Sequence, residues 1–166
     1  MYFTNWHGRV TQEDISLLYV INHIFESLSK ALQKQRSLKP HCNISLNCHS
    51  ITRFIAHGIP DLKVVTGSYF GVFPQEAGAR SLKCDYCPHS WLVTPDGAIL
   101  DPYPVGILAT ESAVLVSTKE EYWNFGASFY FRDGGRQEER EKGRKQAQSI
   151  IRFFRKYVNV ETGEPI

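Results

Sequence analysis

No apolar run in the sequence approaches the roughly 18 consecutive residues that a membrane-spanning helix needs. The stretch Met1 to Arg9 has no basic segment, apolar segment or small-residue cleavage site, so it does not read as a secretory signal. Charge of one sign is not in excess either: 19 basic against 17 acidic side chains leave a formal +2. That balance gives no argument for nucleic-acid binding. The one basic cluster, Lys142 to Lys145 with Arg152, Arg155 and Lys156, alternates with glutamates and apolar residues as a solvated helix face does. Internal repeats and linkers are missing, and only residues 132–145 have the charged composition of a disordered stretch. These absences imply a cytoplasmic protein with neither membrane nor nucleic acid as partner, although signal-free secretion would leave no mark. Oligomeric state is not encoded in any pattern. In a reducing compartment the four cysteines point to chemistry or metal rather than disulfides.

What is present suits one globular domain spanning 1–166. The chain is 42% hydrophobic and 13% aromatic, and a domain of this size buries about 70% of the surface exposed by its unfolded chain. Thr11 followed three residues later by Asp14 marks a helix start, and Ile15, Leu18, Ile21, Ile24, Phe25, Leu28 and Leu32 continue it to about Gln35. A second helix opens near Asn47, carries Ile51, Phe54 and Ile55, and stops at Gly58 before Pro60. Residues 62–66 and 68–73 read as β structure broken at Gly67, and residues 74–87 as a loop. Ser90 to Thr94 and Ala98 to Asp101 flank Pro95-Asp96-Gly97, a hairpin signal. A strand near Ala127 to Phe131 and a helix over Arg136 to Tyr157 complete an α+β order.

Cys48 is the chemically suggestive residue. A helix N-terminus carries about half a positive charge and unpaired N–H groups, which favour thiolate over thiol and can hold an oxyanion. A buried, inert cysteine would occupy the same place equally well. His89 before one strand and Asp101 at the end of the next give that cysteine a base and an orienter. Their hairpin register is offset, so a bulge or extended turn near Pro95 is expected to bring them together. An Asp beside a His fixes its tautomer and leaves the other ring nitrogen for the thiol.

Asn47-Cys48-His49-Ser50 at a helix start, followed by His89-Ser90-Trp91-Leu92-Val93-Thr94-Pro95-Asp96-Gly97-Ala98-Ile99-Leu100-Asp101-Pro102, resembles the transglutaminase-like branch of the papain-like cysteine protease and acyltransferase superfamily. The resemblance covers about residues 45–105. It implies a helix bearing the nucleophile packed on a small antiparallel sheet, with flanking N- and C-terminal helices. It further implies Cys48 as nucleophile, His89 as general base, Asp101 as orienter, no cofactor, and a peptide, protein or small amide as substrate. Asn43 and Asn47 are the side-chain amides nearest the nucleophile and the candidates for a second oxyanion donor, Asn47 also being a natural N-cap. Ser45-Leu46-Asn47 departs from the Trp- or Gly-rich sequence that many members carry before the cysteine. The chain is also shorter than most transferases of the group. No second-substrate domain is evident, which favours hydrolysis by a protease, amidase or protein-glutamine deamidase, with acyl transfer by the same triad as the alternative.

A metal site is the rival reading. Cys84 and Cys87 form a Cys-x-x-Cys, with Cys42 and His41 upstream, and tetrahedral zinc takes such ligands. A second Cys-x-x-Cys or a His-x-x-x-His is lacking. A zinc-stabilised, non-enzymatic binding module is the alternative that follows. The other histidines, His49 included, show no partner in the sequence, and His49 is expected to point away from the nucleophile.

Overall fold

The computed structural model describes residues 2–4, 10–38, 44–74, 82–105, 113–116, 122–123, 128–131 and 134–154, with side chains at most of these positions. In chain order the elements are β1 (Tyr2–Thr4), α1 (Gln12–Leu38), α2 (Cys48–Gly58), β2 (Lys63–Pro74), β3 (Leu82–Val93), β4 (Ile99–Asp101), β5 (Val114–Val116), β6 (Tyr122–Trp123), β7 (Ser128–Phe131) and α3 (Gln137–Phe154). The fold is α+β, as expected. No helix among the described residues is long and apolar enough to cross a membrane.

The sheet is larger than the sequence suggested. Seven strands lie in the order β1-β5-β4-β3-β2-β7-β6, antiparallel throughout except for the parallel β1–β5 edge. Two further corrections concern its centre. Gly67 does not break β2, because it pairs with His89 inside an unbroken ladder from Lys63↔Val93 to Pro74↔Leu82. Residues 82–87, expected as loop, form the first half of β3. Leu82-Lys83-Cys84-Asp85-Tyr86-Cys87 does alternate with a period of two over its first five residues; the Pro and Gly of the preceding segment masked it. His89 therefore sits within a strand rather than before one.

α1 begins as expected, with the Thr11 hydroxyl accepting from Asp14 N–H at 3.2 Å and the Asp14 carboxylate from Thr11 N–H at 3.0 Å. This reciprocal box satisfies two first-turn donors. The helix runs to Leu38, three residues past the expected end. Its stripe of Leu18, Ile21, Ile24, Leu28 and Leu32 is buried with Ile51, Phe54 and Ile55 of α2, Ile150 of α3, and Leu92, Leu100 and Leu115 of the sheet. Fully burying each such side chain contributes about 1.5–3 kcal/mol. Tyr69, Trp91, Val93, Ile99 and Tyr130 form a second cluster. Since Leu92 belongs to one cluster and Trp91 and Val93 to the other, the alternation of β3 divides them between the two faces of the sheet.

The β3–β4 turn closes with Gly97 N–H donating to Thr94 O at 2.9 Å and Thr94 N–H to Ala98 O at 2.9 Å. Gly97 holds φ 87 there, a conformation costly for side chains with a Cβ. The register Leu92↔Leu100 and Val93↔Ile99, carried one step on, sets Asp101 beside Trp91 and diagonal to His89. Diagonal neighbours lie about 7–8 Å apart at Cα, within reach of long side chains. The offset needs no bulge between the paired residues.

Candidate active site

Cys48 is the first residue of α2, and Asn47 is its N-cap, with φ −149 and ψ 174. The Asn47 carbonyl oxygen Oδ1 accepts from His49 N–H and Ser50 N–H, both at 3.0 Å. Ser50 Oγ returns the favour by accepting from Asn47 N–H at 3.1 Å. The Asn47 amide Nδ2 donates to Gln146 of α3 at 2.8 Å. The Asn47 side chain is thus committed to capping and to holding α3, which removes it as an oxyanion donor. Asn43, the other amide considered, lies outside the described residues. The Cys48 backbone N–H remains at the positive end of the helix.

His89 and Asp101 are both fully buried. Nε2 of the imidazole lies 2.7 Å from Asp101 Oδ2. The carboxylate is itself held by Tyr130, whose hydroxyl donates to Oδ2 at 3.0 Å, and by Tyr103 N–H, which donates to Oδ1 at 3.0 Å. Trp91 stacks on the imidazole at 6.0 Å between ring centres, tilted by 29°, while Tyr69 meets it edge-on at 6.1 Å. Gly67, opposite His89 in the ladder, presents no side chain there. Nδ1 has no hydrogen-bond partner among the described residues. It is the ring atom left for the Cys48 thiol, with which the imidazole interacts.

Burial pushes the Cys48 thiol up, but hydrogen bonds from His49 and His89 and the charge of both rings outweigh it, bringing the pKa from 9.0 down to about 6. Burial likewise disfavours the charged form of His89. The neighbouring Asp101 carboxylate reverses this with its charge and hydrogen bond, Cys48 adds to it, and the pKa rises from 6.5 to about 10. The two shifts run in the directions that favour a charged sulfur near a charged ring. Burial also lifts the Tyr130 phenol well above its ordinary 10.0, with Asp101 adding to the effect, so Tyr130 stays a donor.

The sequence reading missed a layer of partners. His49, expected to point elsewhere, interacts with the Cys48 thiol and places Nδ1 2.7 Å from Ser90 Oγ. Ser90 lies 3.0 Å from Thr66 Oγ1. Arg53 Nη2 donates to Thr66 Oγ1 at 2.8 Å, and its Nη1 donates to His49 O at 2.8 Å and to Ser90 Oγ at 3.4 Å. Strand alternation could have flagged Ser90, the neighbour of His89 and hence on the opposite face. Tyr130 had no such signal, because nothing in the sequence says that β7 lies beside β2.

Gly143 of α3 allows this layer to close. A Cβ there would stand 2.8 Å from His49 Cβ and 3.1 Å from both Arg53 Nη1 and His49 O.

The metal reading receives no geometry. Cys48 and Cys87 are reduced, and Cys87 packs against the second cluster. Cys84 falls in β3, not in a loop; its side chain, Cys42 and His41 lie outside the described residues. Among the described residues no three His, Cys, Asp or Glu side chains come together as a metal site. No family model, no curated protein and no solved structure matches this chain, so the arrangement of Cys48, His89 and Asp101 carries the functional reading by itself.

Proposed function

We propose that the protein is a cysteine-dependent hydrolase of an amide or peptide bond, working through a Cys48-His89-Asp101 triad and an acyl-enzyme. The observation that carries this reading is the buried His89, tied through Nε2 to Asp101 at 2.7 Å, with its other nitrogen left for a thiol at a helix start. A solely structural histidine gains little from a buried carboxylate behind it and an unfilled nitrogen in front. A base that must become imidazolium gains both.

In this scheme the Cys48 thiolate attacks the carbonyl carbon, forming the C–S bond and moving an electron pair to the carbonyl oxygen. The Cys48 N–H and the positive end of α2 stabilise that oxyanion. Collapse breaks the C–N bond while His89 Nδ1–H gives its proton to the departing nitrogen. Water then attacks the thioester, His89 takes its proton, and the C–S bond breaks to restore the thiolate. An amine in place of water gives acyl transfer at the same residues. Water needs no binding site of its own, which makes hydrolysis the simpler outcome.

The transglutaminase-like form of the papain-like core belongs to the same proposal. The order helix with Cys48, strand with His89, next strand with Asp101 supports it, as does the packing of α2 against the sheet. A cytoplasmic setting, where the thiol stays reduced, goes with it.

The test is a panel of peptide amides and glutamine-containing peptides, with and without an added primary amine, followed by mass spectrometry and ammonia release. Turnover with a trapped thioester on Cys48, lost in Cys48→Ala, is expected. Undiminished turnover in a folded Cys48→Ala protein would sink the proposal.

A further inference from the structure

The triad works only if Cys48 stands where His89 can take its proton, and apolar packing alone does not set that placement. We propose that Ser90 is a positioning residue, whose buried hydroxyl fixes the first turn of α2 to β3 and so holds Cys48 in place against His89. The inference rests on the reading of Cys48 and His89 as nucleophile and base, and deepens it.

Ile51, Phe54 and Ile55 of α2 pack into the apolar core with Leu92 and Leu100 of the sheet. Such contact is non-directional, whereas a reacting constellation tolerates displacements of only about 0.5 Å. Hydrogen bonds have the narrow geometry that apolar contact lacks, and α2 makes them to Ser90 and Thr66. His49 Nδ1 lies 2.7 Å from Ser90 Oγ. Arg53, one turn further on, donates from Nη1 to Ser90 Oγ at 3.4 Å and from Nη2 to Thr66 Oγ1 at 2.8 Å. Thr66 sits opposite Ser90 in the β2–β3 ladder, and the two hydroxyl oxygens are 3.0 Å apart. A hydroxyl offers one donor and two acceptor sites, so these three partners fill the capacity of Ser90. Ser90 is fully buried and Thr66 nearly so, which shields the contacts from competing water.

Adjacency in sequence carries the effect to the site. His49 follows Cys48 on α2 and Ser90 follows His89 on β3, and consecutive Cα atoms are about 3.8 Å apart. The contact between His49 and Ser90 therefore lies one residue from the reacting pair on both elements. Arg53 Nη1 also donates to His49 O at 2.8 Å, and Thr52 Oγ1 donates to Cys48 O at 2.7 Å. These bonds make the turn that carries Cys48 move as a unit with the side chains that reach Ser90. The ionisable groups bearing on this corner are His49 and Arg53 of α2, His89 of β3 with Asp101 of β4 behind it, and Arg140 and Arg144 of α3, which act on Arg53.

The experiment is iodoacetamide labelling of Cys48 in the full chain from pH 5 to 10, read by mass spectrometry, with urea unfolding run beside it. The labelling midpoint reports how well the surroundings support the Cys48 thiolate. Ser90→Ala is expected to raise it by about one pH unit. The decisive comparison is a double-mutant cycle with His89→Ala. Once His89 is gone, Ser90→Ala is expected to move the midpoint by less than half of its shift in the wild-type background. A shift that keeps more than half of its size there acts through another group and overturns the inference. An unmoved midpoint in Ser90→Ala overturns it too; with a weaker urea transition, that result marks a hydroxyl that serves stability alone. If Ser90→Ala fails to fold, Thr66→Val, which removes one of the three partners of Ser90, takes its place in the same cycle. A smaller rise that shrinks by more than half without His89 supports the inference, and an unmoved midpoint overturns it. A wild-type midpoint at or above the ordinary thiol value would instead refute the nucleophile itself, so the two failures are told apart.

Discussion

Replacing Asp101 by Asn keeps the shape of a buried side chain and removes only its charge and one acceptor. The amide oxygen can still accept from Tyr103 N–H, as Asp101 Oδ1 does at 3.0 Å. Its NH2 group then occupies the Oδ2 position, where it faces His89 Nε2 and the Tyr130 hydroxyl. Two donors cannot face each other, so Nε2 must become an acceptor and the ring proton moves to Nδ1, the nitrogen meant to receive the thiol proton. With the carboxylate gone, His89 loses the largest influence that raises its pKa, and burial, which lowers it, is opposed by Cys48 alone. The thiol in turn loses the support of the charged His89 ring. Its fall from 9.0 to about 6 is the sum of burial, which opposes, and of one hydrogen bond and one charge interaction from each ring. Losing the hydrogen bond and charge of one ring, of the order of two pH units, moves the Cys48 midpoint to about 8. At pH 7 the thiolate fraction then falls roughly tenfold. A more basic thiolate is also more nucleophilic, and over two units that returns a factor of about eight. Alkylation at a single pH near neutrality will therefore hardly change, and the informative quantity is the midpoint of the labelling curve. Turnover should fall by roughly three to four orders of magnitude, because the wrong tautomer blocks proton transfer at every pH. A folded Asp101→Asn protein whose midpoint stays at about 6, or whose turnover is intact, would refute the linkage from Asp101 through His89 to Cys48.

The remaining predictions concern the same corner of the fold. The pH profile of kcat/KM is expected to be bell-shaped: activity rises through about 6 as the Cys48 thiol ionises and falls through about 10 as His89 loses the proton needed by the leaving group. A single sigmoid rising at pH 8 to 9 would contradict the pair. Tyr130→Phe removes the hydroxyl that holds Asp101 Oδ2 at 3.0 Å. Urea unfolding should show a loss of about 1–2 kcal/mol, and turnover should drop roughly tenfold. Asn47→Ala deletes the N-cap and its tie to Gln146, with an expected loss of about 1–2 kcal/mol in the same unfolding experiment. Gly143→Ala drives a methyl to 2.8 Å from His49 Cβ; overpacking of this kind costs about 1–3 kcal/mol, and a melting temperature equal to wild type would show that α3 yields freely.

The legible parts of this fold were those governed by neighbours in sequence. A capping box at Thr11 and Asp14 and a three-four stripe of apolar residues are local events, and α1 appeared where they placed it. The β3–β4 turn is local too, since Asp96-Gly97 supplies the one residue able to hold φ 87. Cys48 at a helix start and the pairing of His89 with Asp101 were recoverable because helix start, strand and hairpin all act over short range. The rest depended on strand order. Tyr130 reaches Asp101 only because β7 returns beside β2, and a three- to four-residue strand carries too few side chains to announce its partner. Gly67 misled because glycine usually weakens a strand; inside a long hairpin, the ladder on both sides holds it in place. His49 was dismissed for following Cys48 by 100° around the helix, an angle that turns out to aim it at Ser90.

That last error points to how the site is assembled. Residues 48 and 49 are consecutive on α2, and residues 89 and 90 are consecutive on β3. Cys48 engages His89 while His49 engages Ser90. Successive residues on a strand face opposite ways, so His89 turns toward the aromatic cluster and its buried carboxylate, whereas Ser90 turns toward α2 and the Arg53 guanidinium. One strand thereby delivers an anion-backed imidazole on one side and a cation-backed hydroxyl on the other. Neither could be exchanged for its neighbour: a slip of β3 by one residue against both β2 and β4 would turn Ser90 toward Asp101 and His89 toward Arg53. The β2–β3 ladder, twelve paired residues on each strand, and the shorter β3–β4 ladder together hold β3 in this register.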